Sequence, residues 1–270
     1  MYQKEGTQEK IHGLKEGTIA CEDNVRRCLD HLQQDRLNAV LYVDEHAQER
    51  AKELDKKRQN NESLGKLYGL TVMIKSNISK EDYPISCASH TLESYKGTFD
   101  ADVVCRIEEE DGIIVGVVNN DEFASGTTGE NSAFGSTKNP RTSRVPGGSS
   151  SGSAAVVAAK YCDLSLGSDT GGSVRNPASH CGVVGIKPSY GRVSRHGLVD
   201  LSMSLDQIGP FANDVYGTAL LMEVLAGESR NDPTTQASPV GEYSEAMPKE
   251  QGIIGYLPSL EQLVSDPRVR

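Results

Sequence analysis

Candidates for buried strands alternate with helical segments through the middle of this chain, and no other feature constrains its fold as tightly. Tyr68-Gly69-Leu70-Thr71-Val72-Met73-Ile74 is short, apolar and rich in β-branched residues, which suits a strand, and Lys75 stands where it ends. An amphipathic helix is expected near Ala101 to Asp111, with Val103, Val104 and Ile107 on one side, followed by the strand candidate Ile113-Ile114-Val115-Gly116-Val117-Val118. A helix from about Ser153 through Ala159 then precedes a short strand at Leu164-Ser165-Leu166. Strands separated by helices predict an α/β fold with a largely parallel sheet. A capped helix from Asp214 through Ala226, ending at Gly227, and a further strand at Gly252-Ile253-Ile254-Gly255-Tyr256-Leu257-Pro258 extend the pattern. The helix that should follow that strand is missing, because the chain stops about a dozen residues later. Residues 15 to 60 are rich in Glu, Lys, Arg, Gln and Ala, with Val25, Cys28, Leu29 and Leu32 on one helical face, which predicts two N-terminal helices. The expected organisation is an N-terminal helical segment, 1–64, packed on an α/β core, 65–270.

Composition removes several function classes. With 36% hydrophobic and 24% charged residues the chain resembles an ordinary globular protein. Its longest apolar run falls far short of the roughly 18 residues that a membrane span requires, and its N-terminus has no apolar signal-peptide core, so no membrane is expected and the cytoplasm is the expected location. The formal net charge of -10 opposes a large sequence-independent nucleic-acid footprint, so any RNA should be held by a partner. Cys21, Cys28, Cys87, Cys105, Cys162 and Cys181 form neither a C-x-x-C pair nor a zinc spacing, and are read as reduced structural thiols.

Two Gly/Ser loops carry the candidate chemistry. Gly147-Gly148-Ser149-Ser150-Ser151-Gly152-Ser153 has a linker's composition, yet it runs directly into the apolar helix Ala154–Ala159, as a tight feature at a helix start would. Gly147 and Gly152 have P-loop spacing, but Ser153 occupies the position where Lys must reach a phosphate. Gly148-Ser149-Ser150-Ser151-Gly152 also fits G-x-S-x-G, which would make Ser150 a nucleophile served by His180 or His196; the preceding residues, Arg141 to Pro146, are polar and do not form the buried strand this elbow follows. The second loop, Gly167-Ser168-Asp169-Thr170-Gly171-Gly172-Ser173-Val174-Arg175, is either a plain strand-to-helix turn or a site where the N–H groups of Thr170, Gly171, Gly172 and Ser173 converge on one developing oxyanion. Lys75 is either a surface charge or, if buried, an amine that gives up its proton readily enough to act as a base for serine.

Together these residues resemble the amidase-signature family, whose hallmarks are a Lys at a strand end, a Gly-Gly-Ser-Ser loop and a Gly-Ser-Asp-x-Gly-Gly-Ser loop, all present here in that order. The resemblance implies an amidase-signature fold, with a mixed, mostly parallel sheet flanked by helices and truncated at the C-terminus. It implies that Lys75 is the base, Ser149 the relay with a cis peptide, and Ser173 the acyl-forming nucleophile, with Asp169 and Arg175 bracing the nucleophile loop. Asp121-Glu122-Phe123-Ala124, Glu130-Asn131-Ser132-Ala133-Phe134-Gly135 and Ser204-Leu205-Asp206-Gln207-Ile208-Gly209-Pro210 are similar to the glutaminase subunits of tRNA-dependent amidotransferases. That likeness implies glutamine as substrate and a heterotrimer completed by the B and C subunits. It also implies tRNA held mainly by the B subunit, ATP and Mg used by that partner, and no cofactor or metal in this chain. Ser76 departs from the family pattern, which has Asp after the Lys, and the charged residues that recognise glutamine are expected to lie in a missing C-terminal part. A stand-alone amidase for a small amide and a non-enzymatic scaffold are the rival readings.

Overall fold

The computed structural model describes residues 6–246 and two isolated positions, 259 and 263. In chain order the elements are α1 (Thr7–Glu16), α2 (Cys21–Gln33), β1 (Val40–Val43), α3 (Ala47–Gln59), β2 (Thr71–Lys75), α4 (Asp102–Glu109), β3 (Ile113–Val118), α5 (Ser151–Ala158), β4 (Leu164–Asp169), α6 (Arg175–Cys181), β5 (Val184–Gly185), β6 (Gln207–Ala212) and α7 (Val215–Leu225). The strands form one sheet in the order β1-β3-β2-β4-β6-β5. β3, β2 and β4 run parallel at its centre, while β1 joins β3, β6 joins β4 and β5 joins β6 in antiparallel fashion. The sheet is thus mixed, with parallel pairing confined to the strands that helical crossovers connect. Every residue of β2, β3 and β4 is buried, as a parallel sheet covered by helices requires.

The N-terminal stretch holds three helices and a strand, where sequence periodicity predicts two helices alone. β1 is only four residues long and half-exposed, and it pairs with β3 through an irregular register at Leu41, so it lacks the buried apolar run that marks β2 and β3. β6 also escapes the sequence pattern, because Pro210 lies within it; its carbonyl still accepts from Ile186 N at 3.2 Å. The strand expected at residues 252–258 lies outside the described residues. The six cysteines are free thiols, and all but the half-buried Cys105 are buried.

Two carboxylates fasten the N-terminal helices. Asp214 caps α7 by accepting from Gly217 N at 2.7 Å, and its other oxygen takes Thr7 N at 2.7 Å and the Thr7 hydroxyl at 2.9 Å, so one side chain serves the first turns of α7 and α1. Asp163, just before β4, accepts from Lys10 of α1, from Asn24 Nδ2 of α2 at 3.0 Å, and from Thr71 N and Oγ1 of β2, both at 3.0 Å. Burial pushes this carboxyl up, but the Lys10 ammonium and the hydrogen bonds outweigh it and hold it below the usual carboxylate range. Its contribution is therefore present above the carboxyl's unfolded pKa and is lost as pH falls through the lower folded value. Asp163→Ala strands the donors on three elements, and urea denaturation at neutral pH should show a loss of about 2–3 kcal/mol; an unchanged midpoint would remove this role.

Candidate active site

Parallel pairing delivers the site residues to one edge of the sheet. Lys75 is the last residue of β2 and pairs with Val118, the last of β3, while Ile74 pairs with Leu166 of β4, so Ser168 and Asp169 lie just beyond on the neighbouring strand. Loops at the carboxyl ends of parallel strands converge, which is where open α/β sheets form their sites. Lys75 is wholly buried, and its Nζ donates to Ser149 Oγ at 2.7 Å and to Ser168 Oγ at 2.8 Å. Burial lowers the Lys75 pKa to about 7, against the opposing pull of Asp121, Asp206 and Asp169. An amine in this state exchanges a proton near neutrality, where an exposed Lys would stay charged.

Ser149 is also fully buried, and the Gly148–Ser149 peptide bond is cis. Its loop enters α5 through Ser151, Gly152 and Ser153, and the small side chains are required by close packing. A Cβ on Gly152 would meet Asn119 O at 2.4 Å and Ala39 O at 2.7 Å, and Ser153 Oγ donates to Leu166 O at 2.9 Å. This space is filled by protein backbone, which removes both the flexible-linker and the phosphate-cradle readings. The elbow reading fails as well, since Ser150 Oγ donates to Ser168 O at 3.1 Å and accepts from Ser168 N at 3.2 Å, with Ser150 fully buried.

Ser173 is 7% exposed, and the two loops are tied through the main chain, from Ser150 N to Ser173 O at 3.2 Å. Asp169 organises the nucleophile loop from beneath. It accepts from Gly172 N at 2.8 Å, from Val174 N at 3.0 Å, and from Arg175 through Nε at 3.0 Å and Nη2 at 2.9 Å. The pairing of Asp169 with Arg175 across the loop is therefore present; the guanidinium is half-exposed and the carboxylate is buried. Burial pushes the Asp169 carboxyl up, and Arg175 and the backbone donors more than offset this and hold it low. One expectation is corrected here. The Gly172 N–H is committed to Asp169, so it does not join a convergent set of free donors, and Thr170, Gly171 and Ser173 remain as the candidates. A Cβ on Gly171 or Gly172 would touch nothing within 4 Å, so this side of the loop faces open space that a substrate can enter.

Sequence reasoning assigned no role to Ser168, Asn77, Asp206 or Asp121. Ser168 touches Lys75 and also accepts from Asn77 Nδ2 at 3.1 Å. Asp206 binds the Thr170 hydroxyl and accepts from Leu201 N at 2.7 Å and Ser202 N at 2.9 Å, which anchors the nucleophile loop to the segment before β6. The available signal was that Lys75 ends a strand and Ser168 lies in the loop motif after another, but it becomes informative only once β2 and β4 are known to be neighbours. Ser76, where the family pattern has Asp, is buried and donates to Asn120 Oδ1 at 2.6 Å. Among the described residues no group of His, Cys, Asp and Glu side chains is arranged to hold a metal ion.

The A subunit of glutamyl-tRNA(Gln) amidotransferase from Methanothermobacter thermautotrophicus is 53% identical over 85% of this chain and 51% of its own length. That of Methanocaldococcus jannaschii is 54% identical over 74% of this chain and 46% of its own length. The chain thus spans about half the length of the curated relatives it matches. The crystal structure of the corresponding protein from Thermotoga maritima matches with a TM-score of 0.67 at 42% identity, over 86% of this chain and 47% of that one. Native peptide amidase from Stenotrophomonas maltophilia matches with a TM-score of 0.83 at 31% identity, over 90% and 53%. The family model described as amidase matches residues 23–270, and the chain belongs to the amidase family.

Proposed function

We propose that this chain is the glutaminase subunit of a tRNA-dependent amidotransferase, hydrolysing glutamine through Ser173, Ser149 and Lys75. The observation that carries the chemistry is the fully buried Lys75 amine 2.7 Å from Ser149 Oγ, beside a loop that presents Ser173. A neutral amine has two N–H donors and one lone pair, so it can donate to Ser168 while accepting the Ser149 proton. As Ser173 Oγ bonds to the amide carbon, its proton passes to Ser149 and that of Ser149 passes to Lys75. The N–H groups of Thr170, Gly171 and Ser173 stabilise the oxyanion. On collapse the carbon–nitrogen bond breaks, the proton returns through Ser149 to the leaving nitrogen, and ammonia departs. Water then attacks the glutamyl ester, gives its proton back along the same path, and regenerates the serine.

The choice of glutamine rests on the similarity to archaeal amidotransferase A subunits at about half identity. In this reading the ammonia serves conversion of glutamyl-tRNA(Gln) to glutaminyl-tRNA(Gln). The B subunit holds the tRNA and uses ATP and Mg, the C subunit completes the heterotrimer, and this chain needs no cofactor of its own. The same reading has the complex work in the cytoplasm. No helix among the described residues is long and apolar enough to cross a membrane. A second reading, a stand-alone amidase for a small amide, is favoured by the closer structural match to peptide amidase, with TM-score 0.83 against 0.67.

Two experiments test the proposal. Incubation with glutamine followed by acid quench and mass spectrometry should trap a glutamyl adduct on Ser173; an adduct that persists in Ser173→Ala removes the nucleophile assignment, and turnover of small amides without glutamine favours the second reading. Because the base must be neutral, acylation should rise with pH and level off above about 7, the Lys75 value. Lys75→Ala should lower the plateau about 10²–10⁴-fold, and a flat profile in the unaltered protein would rule out Lys75 as the base.

A further inference from the structure

Four titratable side chains act electrostatically on the Lys75 amine and favour its charged form: Asp121 after β3, Asp206 before β6, Cys87 in the segment after β2, and Asp169 at the end of β4. Asp169 is matched by Arg175, and Asp206 is engaged by Thr170, Leu201 and Ser202. Burial pushes the Cys87 thiol up to about 12, which leaves it uncharged. Asp206 and Asp121 alike have only neutral hydrogen-bond partners among the described residues, and Asp121 differs in also touching the relay segment. It is wholly buried, its oxygens accept only main-chain donors, Gly129 N at 3.1 Å and Asn131 N at 3.0 Å, and among the described residues no basic side chain pairs with it. The same residue clasps the relay serine, since its N–H donates to Ser149 O at 3.0 Å. Its Oδ2 also fills the space beside Gly148 that a side chain would need, since a Cβ there would meet it at 1.9 Å.

We propose that Asp121 is a positioning residue for the Lys75–Ser149 pair: it clasps the Gly148–Ser149 segment and supplies the buried negative charge that balances the ammonium formed at position 75. This rests on the proposed roles of Lys75, Ser149 and Ser173. During acylation the proton leaving Ser173 puts a positive charge on Lys75, which persists until the leaving nitrogen takes that proton. In a buried site no bulk water screens that charge, and a carboxylate fixed by two N–H groups opposes it without having to reorganise. Arg175 already offsets Asp169, so Asp121 is the remaining carboxylate that also touches the relay.

The test uses Asp121→Asn, which keeps the shape and removes the charge. In full-length protein labelled with ¹³Cε-lysine, the Lys75 resonance is titrated in both forms, and the rate at which phenylmethylsulfonyl fluoride labels Ser173 is followed against pH. Loss of a buried counter-charge should move the Lys75 midpoint down by about one unit and carry the acid limb of labelling with it. Structural damage that opens the site has the opposite sign, because a hydrated Lys75 rises towards its ordinary value. An unchanged or raised midpoint overturns the proposal. If the unaltered protein is not labelled at Ser173, the nucleophile assignment fails, whereas the Lys75 titration still decides the role of Asp121.

Discussion

An amine sealed at the end of a central strand is costly, and much of the surrounding architecture exists to make that position tenable. Lys75 has no exposed surface, so water does not solvate its charge. Two hydroxyls receive its N–H groups, and the negative charges of three carboxylates near neighbouring strand ends favour its charged form. Those contacts depend on β3, β2 and β4 ending together, which parallel pairing in this register achieves and an antiparallel centre would not. Burial lowers the pKa and the carboxylates limit how far it falls, leaving the amine poised near neutrality.

The two serine loops solve different packing problems with similar composition. The first needs glycine and serine because α5 starts against the backbone of residues 39 and 119, with no room for a larger side chain at Gly152. The second needs them for openness: Asp169 gathers the N–H groups of Gly172, Val174 and Arg175 beneath the loop, and the far side of Gly171 and Gly172 is left bare. A closed loop holding the proposed relay therefore lies against an open loop holding the proposed nucleophile, laced by the bond from Ser150 N to Ser173 O.

Much of this was legible in advance. The apolar runs at 68–74 and 113–118 and the stripe at Val103, Val104 and Ile107 appear as β2, β3 and α4, with Tyr68 and Gly69 falling in the turn before β2, because burial on both faces, or on one helical face, leaves a trace in the sequence. Asp214 as a helix start also follows from local chemistry. β1, β5 and β6 left weaker traces: two are very short, and one contains a proline in a pairing defined by β4. At the site, motif spacing marked Lys75, Ser149 and Ser173, but the partners Ser168, Asp121 and Asp206 belong to segments whose proximity no local pattern encodes.

By itself the sequence determined the strand and helix alternation, the position of Lys75 at a strand end, and two loops too rich in small residues to be ordinary connections, because each is a property of neighbouring residues. Tertiary structure alone decided that Lys75 is dry, that Ser168 and not only Ser149 meets its amine, that the Gly172 N–H turns inward to Asp169, and that Ser150 is spent holding two loops together. The reason is that solvation and hydrogen-bond partnership depend on what packs from distant parts of the chain: residues 75, 121, 149 and 168 become neighbours only when the sheet has formed.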